Sequence, residues 1–175
     1  LHLAPLIQEF MALHPEVRFE MDFNDRQIDL MQEGVDLAIR IAKLEDSSLI
    51  ARRLAPIRHV LCASPGYLAR HGTPKVAADL VRHVCLAYSN VRDPGSWSYR
   101  GPDGLSGNVR VPVRLAASSG EFLMRAAIAD EGLLLLPTFY VHEALHAGWL
   151  VRVLDDHIRP DLFAYALYPP TRHLS

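Results

Sequence analysis

DRQIDLMQEGVDLAIRI, residues 25–41, decides the fold class. Asp25 is placed to cap a short helix that carries Ile28 and Met31. Gly34 suits the turn that closes this helix. The apolar run Val35 to Ile41 then reads as a strand buried on most sides. Upstream, Leu3, Leu6, Ile7, Phe10 and Leu13 recur at helical spacing until His14-Pro15 stops the pattern. Val17, Phe19 and Met21 alternate with Arg18, Glu20 and Asp22, the period of a strand. The chain therefore opens helix, strand, helix, strand, an order that predicts a parallel-rich sheet covered on both faces.

Downstream the alternation continues. Residues 43–56 read as an irregular excursion ending at Pro56, and Arg58 to Ala63 as the next strand. Ser64-Pro65-Gly66 is a turn signal, followed by short helical pieces at Tyr67 to His71 and Ala77 to Leu80. Val84 to Tyr88 is a strand, and the polar, Gly- and Pro-rich stretch 89–108 a hairpin or surface loop around Trp97 and Tyr99. Val109 to Leu115 is a strand leading to Ser118-Ser119-Gly120-Glu121, where Ser118 and Glu121 have the spacing of a capping box. The helix opened there ends near Gly132, Leu133 to Leu136 is a buried strand, and Pro137 begins a loop. A helix over Val141 to Ala147 and strands at Leu150 to Leu154 and Phe163 to Tyr168 complete the chain.

Composition narrows the function. The 175 residues are half apolar and 22% charged, with a net charge of −2 and no run of arginines beyond Arg52-Arg53. No basic field exists to attract nucleic-acid phosphates. Cys62 and Cys85 sit in apolar surroundings, which favours buried thiols in a reducing cytosol over a disulfide. No apolar run approaches the length that spans a bilayer, and Leu133 to Leu136 has only four residues before Pro137. The chain starts inside a helical pattern, so we expect a fragment of a longer protein.

One motif invites a catalytic reading. His142-Glu143-Ala144-Leu145-His146 matches H-E-x-x-H, which on a helix puts two imidazoles on one face for zinc. The continuation fails, because Trp149 and Arg152 occupy the positions of the glycine and third histidine. Asp155, Asp156 and His157 lie beyond a strand. An amphipathic helix with Val141 and Leu145 facing inward is the better account, so no metal, cofactor or catalytic residue is assigned. Neither cysteine has a nucleophile signature, and no glycine-rich phosphate loop is present.

Residues 25–41 together with Asp46-Ser47-Ser48 to Arg53 resemble the regulatory domain of LysR-type transcriptional regulators. Ala63 to Leu68, Asp79-Leu80 with His83, Trp97, Gly132 to Pro137 with Phe139, and Gly148 to Val151 continue the likeness in order. The resemblance implies an α/β fold of two Rossmann-like lobes joined by two crossover strands, as in type 2 periplasmic solute-binding proteins. It places lobe one at residues 1–62 plus 164–175 and lobe two at 63–163. It also implies a cytoplasmic homodimer or homotetramer that reaches DNA only through an N-terminal domain outside this chain. Two departures stand out: Asp130-Glu131-Gly132 replaces a common Gly-x-Gly, and the family's first strand and its loop precede Leu1.

A small-molecule effector is expected between the lobes, and an anionic one would suit the helix end described next. The helix opening at Ser118, Ser119 and Gly120 offers unsatisfied N–H groups that suit a carboxylate. By resemblance, the strand end at Arg40, Ile41 and Ala42 faces the same crevice, Pro137, Thr138 and Phe139 border it, and Ser64 and Pro65 line its floor at the crossover. For Arg40 a structural ion pair with Asp36 or another acid is the favoured alternative. Leu3, Leu6 and Phe10, with Val141 and Leu145, are expected at an antiparallel dimer interface. A solute-binding protein of the same fold is the alternative function, and a zinc peptidase a remote one.

Overall fold

A computed structural model describes residues 3–23, 30, 32–42, 49–101, 104, 106–155 and 162–170. The first helix, α1 (Leu3–Leu13), has the expected bounds, yet none of its residues is buried. The stretch after it has no ladder partner among the described residues, so the expected strand at Val17 to Met21 is not formed there. A strand needs a neighbour for its N–H and C=O groups, and none is described here. The helix expected over Ile28 and Met31 lies outside the described residues, as does the tip at Asp46 to Ser48. Gly34 has φ +66°, the left-handed conformation its place in a turn requires.

Three strands form the first sheet in the order β1 (Ala38–Ala42), β10 (Leu162–Tyr168), β2 (Ile50–Ile57), all antiparallel. Two expectations are corrected here. Residues 50–57 are a strand and not an irregular excursion, with Pro56 opposite Phe163 on an edge strand, the part of a sheet that tolerates proline. β1 is half-exposed, Ile39 and Ile41 each retaining about two-fifths of their accessible surface, because no helix among the described residues buries itself on it.

The second sheet has five strands in the order β7 (Val113–Ala117), β4 (Cys85–Tyr88), β8 (Leu133–Pro137), β3 (His59–Ala63), β9 (Val151–Arg152). β7, β4 and β8 run parallel, while β3 is antiparallel to β8 and to β9. The mixed order departs from a parallel-rich sheet because β3 enters from the first sheet and meets β8 head to tail. The passage between sheets falls at Arg58.

Side chains on this sheet alternate between two cores, as strand geometry demands. Val60, Cys62, Leu86, Leu134 and Leu136 join α3 (Gly120–Ile128) and α4 (Thr138–His146) through Leu123, Ala127, Val141 and Ala144. Leu61, Ala63, Cys85 and Leu133 face the other way, onto Tyr67 of α2 (Pro65–His71), Leu80 of a 3-10 turn (Ala77–Arg82), and Trp97 and Val109. Trp97 and Val109 are cross-strand partners in a hairpin of β5 (Ser96–Arg100) and β6 (Ser106–Arg110). The two free thiols sit on opposite faces, which rules out their pairing, and burial pushes each up to about 12.

Candidate ligand cleft

The carboxyl ends of β4, β7 and β8 lie together at one edge of the second sheet: Tyr88 pairs with Ala117, and Cys85 with both Val113 and Leu133. Two helices begin at that edge. Ser119 caps α3, its hydroxyl accepting from the Phe122 N–H at 3.2 Å. The cap therefore sits one residue later than a Ser118–Glu121 capping box would put it. Glu121 instead pairs with Arg125 one turn on, at 2.9 Å. α4 follows β8 directly, so Pro137 ends a strand and introduces a helix where a loop was expected.

These two helix starts are packed against each other. A Cβ built on Gly120 would lie 2.8 Å from the Tyr140 ring, so only glycine lets the rings and backbone approach this closely. Ser118 and Ser119 are exposed, while Thr138 and Phe139 are half-buried. Thr138 N–H donates to the Arg58 carbonyl at 2.8 Å, and His59 pairs with Pro137. α4 is thereby pinned to the strand that crosses between the sheets.

The first sheet approaches the same crossover. Ala42 pairs with Phe163, which pairs with Pro56, and Leu162 pairs with Ile57, the residue before Arg58. Ile41 and Ala42 thus end β1 on the crossover side. Arg40 sits further in, half-buried and opposite Tyr165, whose other neighbour is Arg53. The Arg53 guanidinium lies 4.8 Å over the Phe163 ring, a cation–π contact that sequence reading missed because residues 43–56 carried no strand pattern.

Ser118, Ser119, Gly120, Pro137, Thr138 and Phe139 are therefore brought together, with Ile41 and Ala42 on the neighbouring sheet's facing end. Ser64 and Pro65 are not among them. Because β3 is antiparallel to β8, they stand at the opposite edge, where Ser64 is buried and caps α2. Its hydroxyl donates to Asp130 at 2.5 Å, and Arg70 reaches the same carboxylate at 3.0 Å. That hydroxyl first, then Arg70, holds the Asp130 carboxyl below its ordinary range. Asp130 has φ +67°, so the Gly-x-Gly position keeps a left-handed backbone with a carboxylate in place of glycine.

His59 was also missed. Its Nδ1 is buried without a hydrogen-bond partner, and burial drives the ring down to about 4 against a weaker opposing bond to the Ile57 backbone. As a polar residue starting an alternating strand, it carried no signal of burial. Val141 requires correction as an interface residue. It has no exposed surface, and with half-buried Leu145 it packs into its own domain's core. Leu3, Leu6 and Phe10 are exposed on α1. A shallow cavity of about 220 Å³ lined by Leu30, Gly34, Val35, Asp36 and Pro169 lies at the far end of the first sheet, away from the crossover.

The whole chain, residues 1–175, matches the family described as LysR substrate binding domain. This chain belongs to that family. An uncharacterized HTH-type transcriptional regulator of Haemophilus influenzae is 35% identical over 99% of the chain, which spans 60% of the relative. The transcriptional activator TtdR of Escherichia coli is 36% identical over 89% of the chain and half of the relative. Among solved structures, CrgA, a LysR-type regulator from Neisseria meningitidis, superposes with a TM-score of 0.80 at 31% identity, covering 96% of the chain and 57% of CrgA. The regulatory domain of AphB from Vibrio vulnificus gives 0.78 at 28% identity, covering 95% of the chain and 83% of that domain. The LysR substrate-binding domain here thus spans about half to three-fifths of full-length relatives. It has the two-lobed, periplasmic-binding-protein-like fold of LysR regulatory domains. No described helix is long and apolar enough to cross a membrane.

Proposed function

We propose that this domain senses a small anionic metabolite held between its lobes, at the edge where α3 and α4 begin. The observation that carries this reading is the packing of Gly120 against Tyr140, which sets two helix N-termini side by side at the carboxyl ends of parallel strands. Each N-terminus carries partial positive charge beyond the N–H groups already bonded to Ser119 and the Arg58 carbonyl, and crevices at such strand ends favour ligands. Ser118, Ser119 and Thr138 supply hydroxyls, Pro137 and Phe139 an apolar wall, and Ile41 and Ala42 with Arg40 behind them the opposite lobe.

Binding acts by preferring one lobe arrangement, which a homodimer or homotetramer transmits to DNA-binding domains outside these residues. Such a regulator works in the cytoplasm. A thermal-shift screen of small carboxylates and aromatic acids tests the reading. A carboxylate should raise the unfolding temperature, and Ser119→Ala combined with Thr138→Ala should abolish the shift. A hit whose shift survives the double substitution would place the site elsewhere.

A further inference from the structure

The proposed function leaves the His142-Glu143-Ala144-Leu145-His146 motif unused. α4 holds these residues in one regular helix, anchored by Val141 and Ala144 in the core and by the Ala147 N–H bonded to the Glu143 carbonyl. His142 and His146 follow the inward positions 141 and 145 by one residue, so both imidazoles stand on the outer side, one turn apart and exposed. Among the described residues, neither histidine side chain has a hydrogen-bond or ion-pair partner to give up. Glu143 is one residue from His142 and so lies off the line joining the two rings. No third histidine, cysteine or carboxylate is grouped with them among the described residues.

We propose that His142 and His146 form a two-imidazole chelate for a divalent transition-metal ion, Cu²⁺ most tightly, with Ni²⁺ and Zn²⁺ weaker. Two imidazoles at this spacing on a helix suit these borderline ions, and their order follows the general affinity series. The remaining positions on the metal go to water. The site is a binding site, and Glu143 has no role in it. Ligation needs neutral rings, so protons compete with the metal and binding strengthens as pH rises. The metal clips the second turn of a helix whose first residues, Thr138 and Phe139, border the proposed cleft. Occupancy therefore steadies that rim whether or not the effector reading holds.

The test titrates the 175-residue chain with CuCl₂, NiCl₂ and ZnCl₂, with MgCl₂ as a hard-cation control. One ion should bind per chain, with Cu²⁺ electron paramagnetic resonance showing two nitrogen ligands, and Mg²⁺ should not compete. His142→Ala or His146→Ala should each weaken Cu²⁺ binding by at least about tenfold and leave one of those nitrogens. Glu143→Gln and the control His71→Ala should leave binding unchanged. Circular dichroism checks that the variants stay folded, as substitutions at exposed helix positions permit. Unchanged affinity in either histidine variant overturns the proposal, and so does a loss with Glu143→Gln equal to theirs.

Discussion

His59 and Asp130 show how single residues record strain that composition hides. His59 keeps a buried, unbonded Nδ1 at the crossover, and its folded value near 4 lies below the ordinary 6.5. Between these values the unfolded chain binds the proton and the folded chain does not, so stability rises with pH. The full contribution is present above about pH 6.5, declines as pH falls toward 4, and is on the order of 3 kcal/mol. Urea unfolding between pH 7.5 and 4 should show this slope, and His59→Leu should flatten it. Asp130 loses stability in the same direction, further into acid: its carboxylate is stabilised by Ser64 and Arg70, and that support is lost as acid protonates it. Asp130→Asn should keep the left-handed backbone, which asparagine tolerates, and lose only the charge-assisted bonds. Asp130→Val should lose both and lower the denaturation midpoint further. Asp130 stood out in the sequence as a departure from glycine, but its partners did not, because Ser64 and Arg70 meet it across 66 and 60 positions of chain. Only local chemistry is written locally.

Among elements, those with a local cause were legible. α1, α3, β8 and β10 follow from periodicity and flanking turn residues, and the hairpin around Trp97 from its polar, glycine-rich ends. β2 was not, since an exposed edge strand carrying Arg52, Arg53 and Pro56 needs no alternation to satisfy two environments. The strand expected over Val109 to Leu115 splits instead at Val111-Pro112, where proline lacks the N–H a ladder requires. The cap of α3 was placed one residue early because Ser118 and Ser119 are both competent caps, and only the backbone decides between them. Ser119→Ala should therefore cost about 1 kcal/mol of stability, while Ser118→Ala should cost little; chemical denaturation separates the two. Gly120→Ala is harsher. Its new methyl must displace the Tyr140 ring, at roughly 1–3 kcal/mol, and should also weaken the carboxylate response by parting α3 from α4.

For the whole molecule, the two-lobed fold was legible because many moderate signals fall in one order along 175 residues, whereas the cleft depends on which strand ends coincide. That is a property of β3 running against β8, and it moved Ser64 and Pro65 away from the other candidate residues. α1 contributes nothing to the described core, yet Leu6 and Phe10 leave 61% and 45% of their surface exposed, a liability unless another surface covers them. Leu6→Glu with Phe10→Glu should convert a dimer to a monomer in sedimentation velocity, with the circular dichroism spectrum unchanged. The antiparallel placement of β3 has a further consequence during synthesis. Leu61 waits for Leu135 as its ladder partner, and β9 arrives later still. At roughly 5–20 residues per second, a ribosome takes about 4 to 15 seconds to supply that partner. Throughout that interval Val60-Leu61-Cys62-Ala63 is an apolar strand with both edges open, and the emerging chain must be shielded until residue 137 is clear of the exit tunnel.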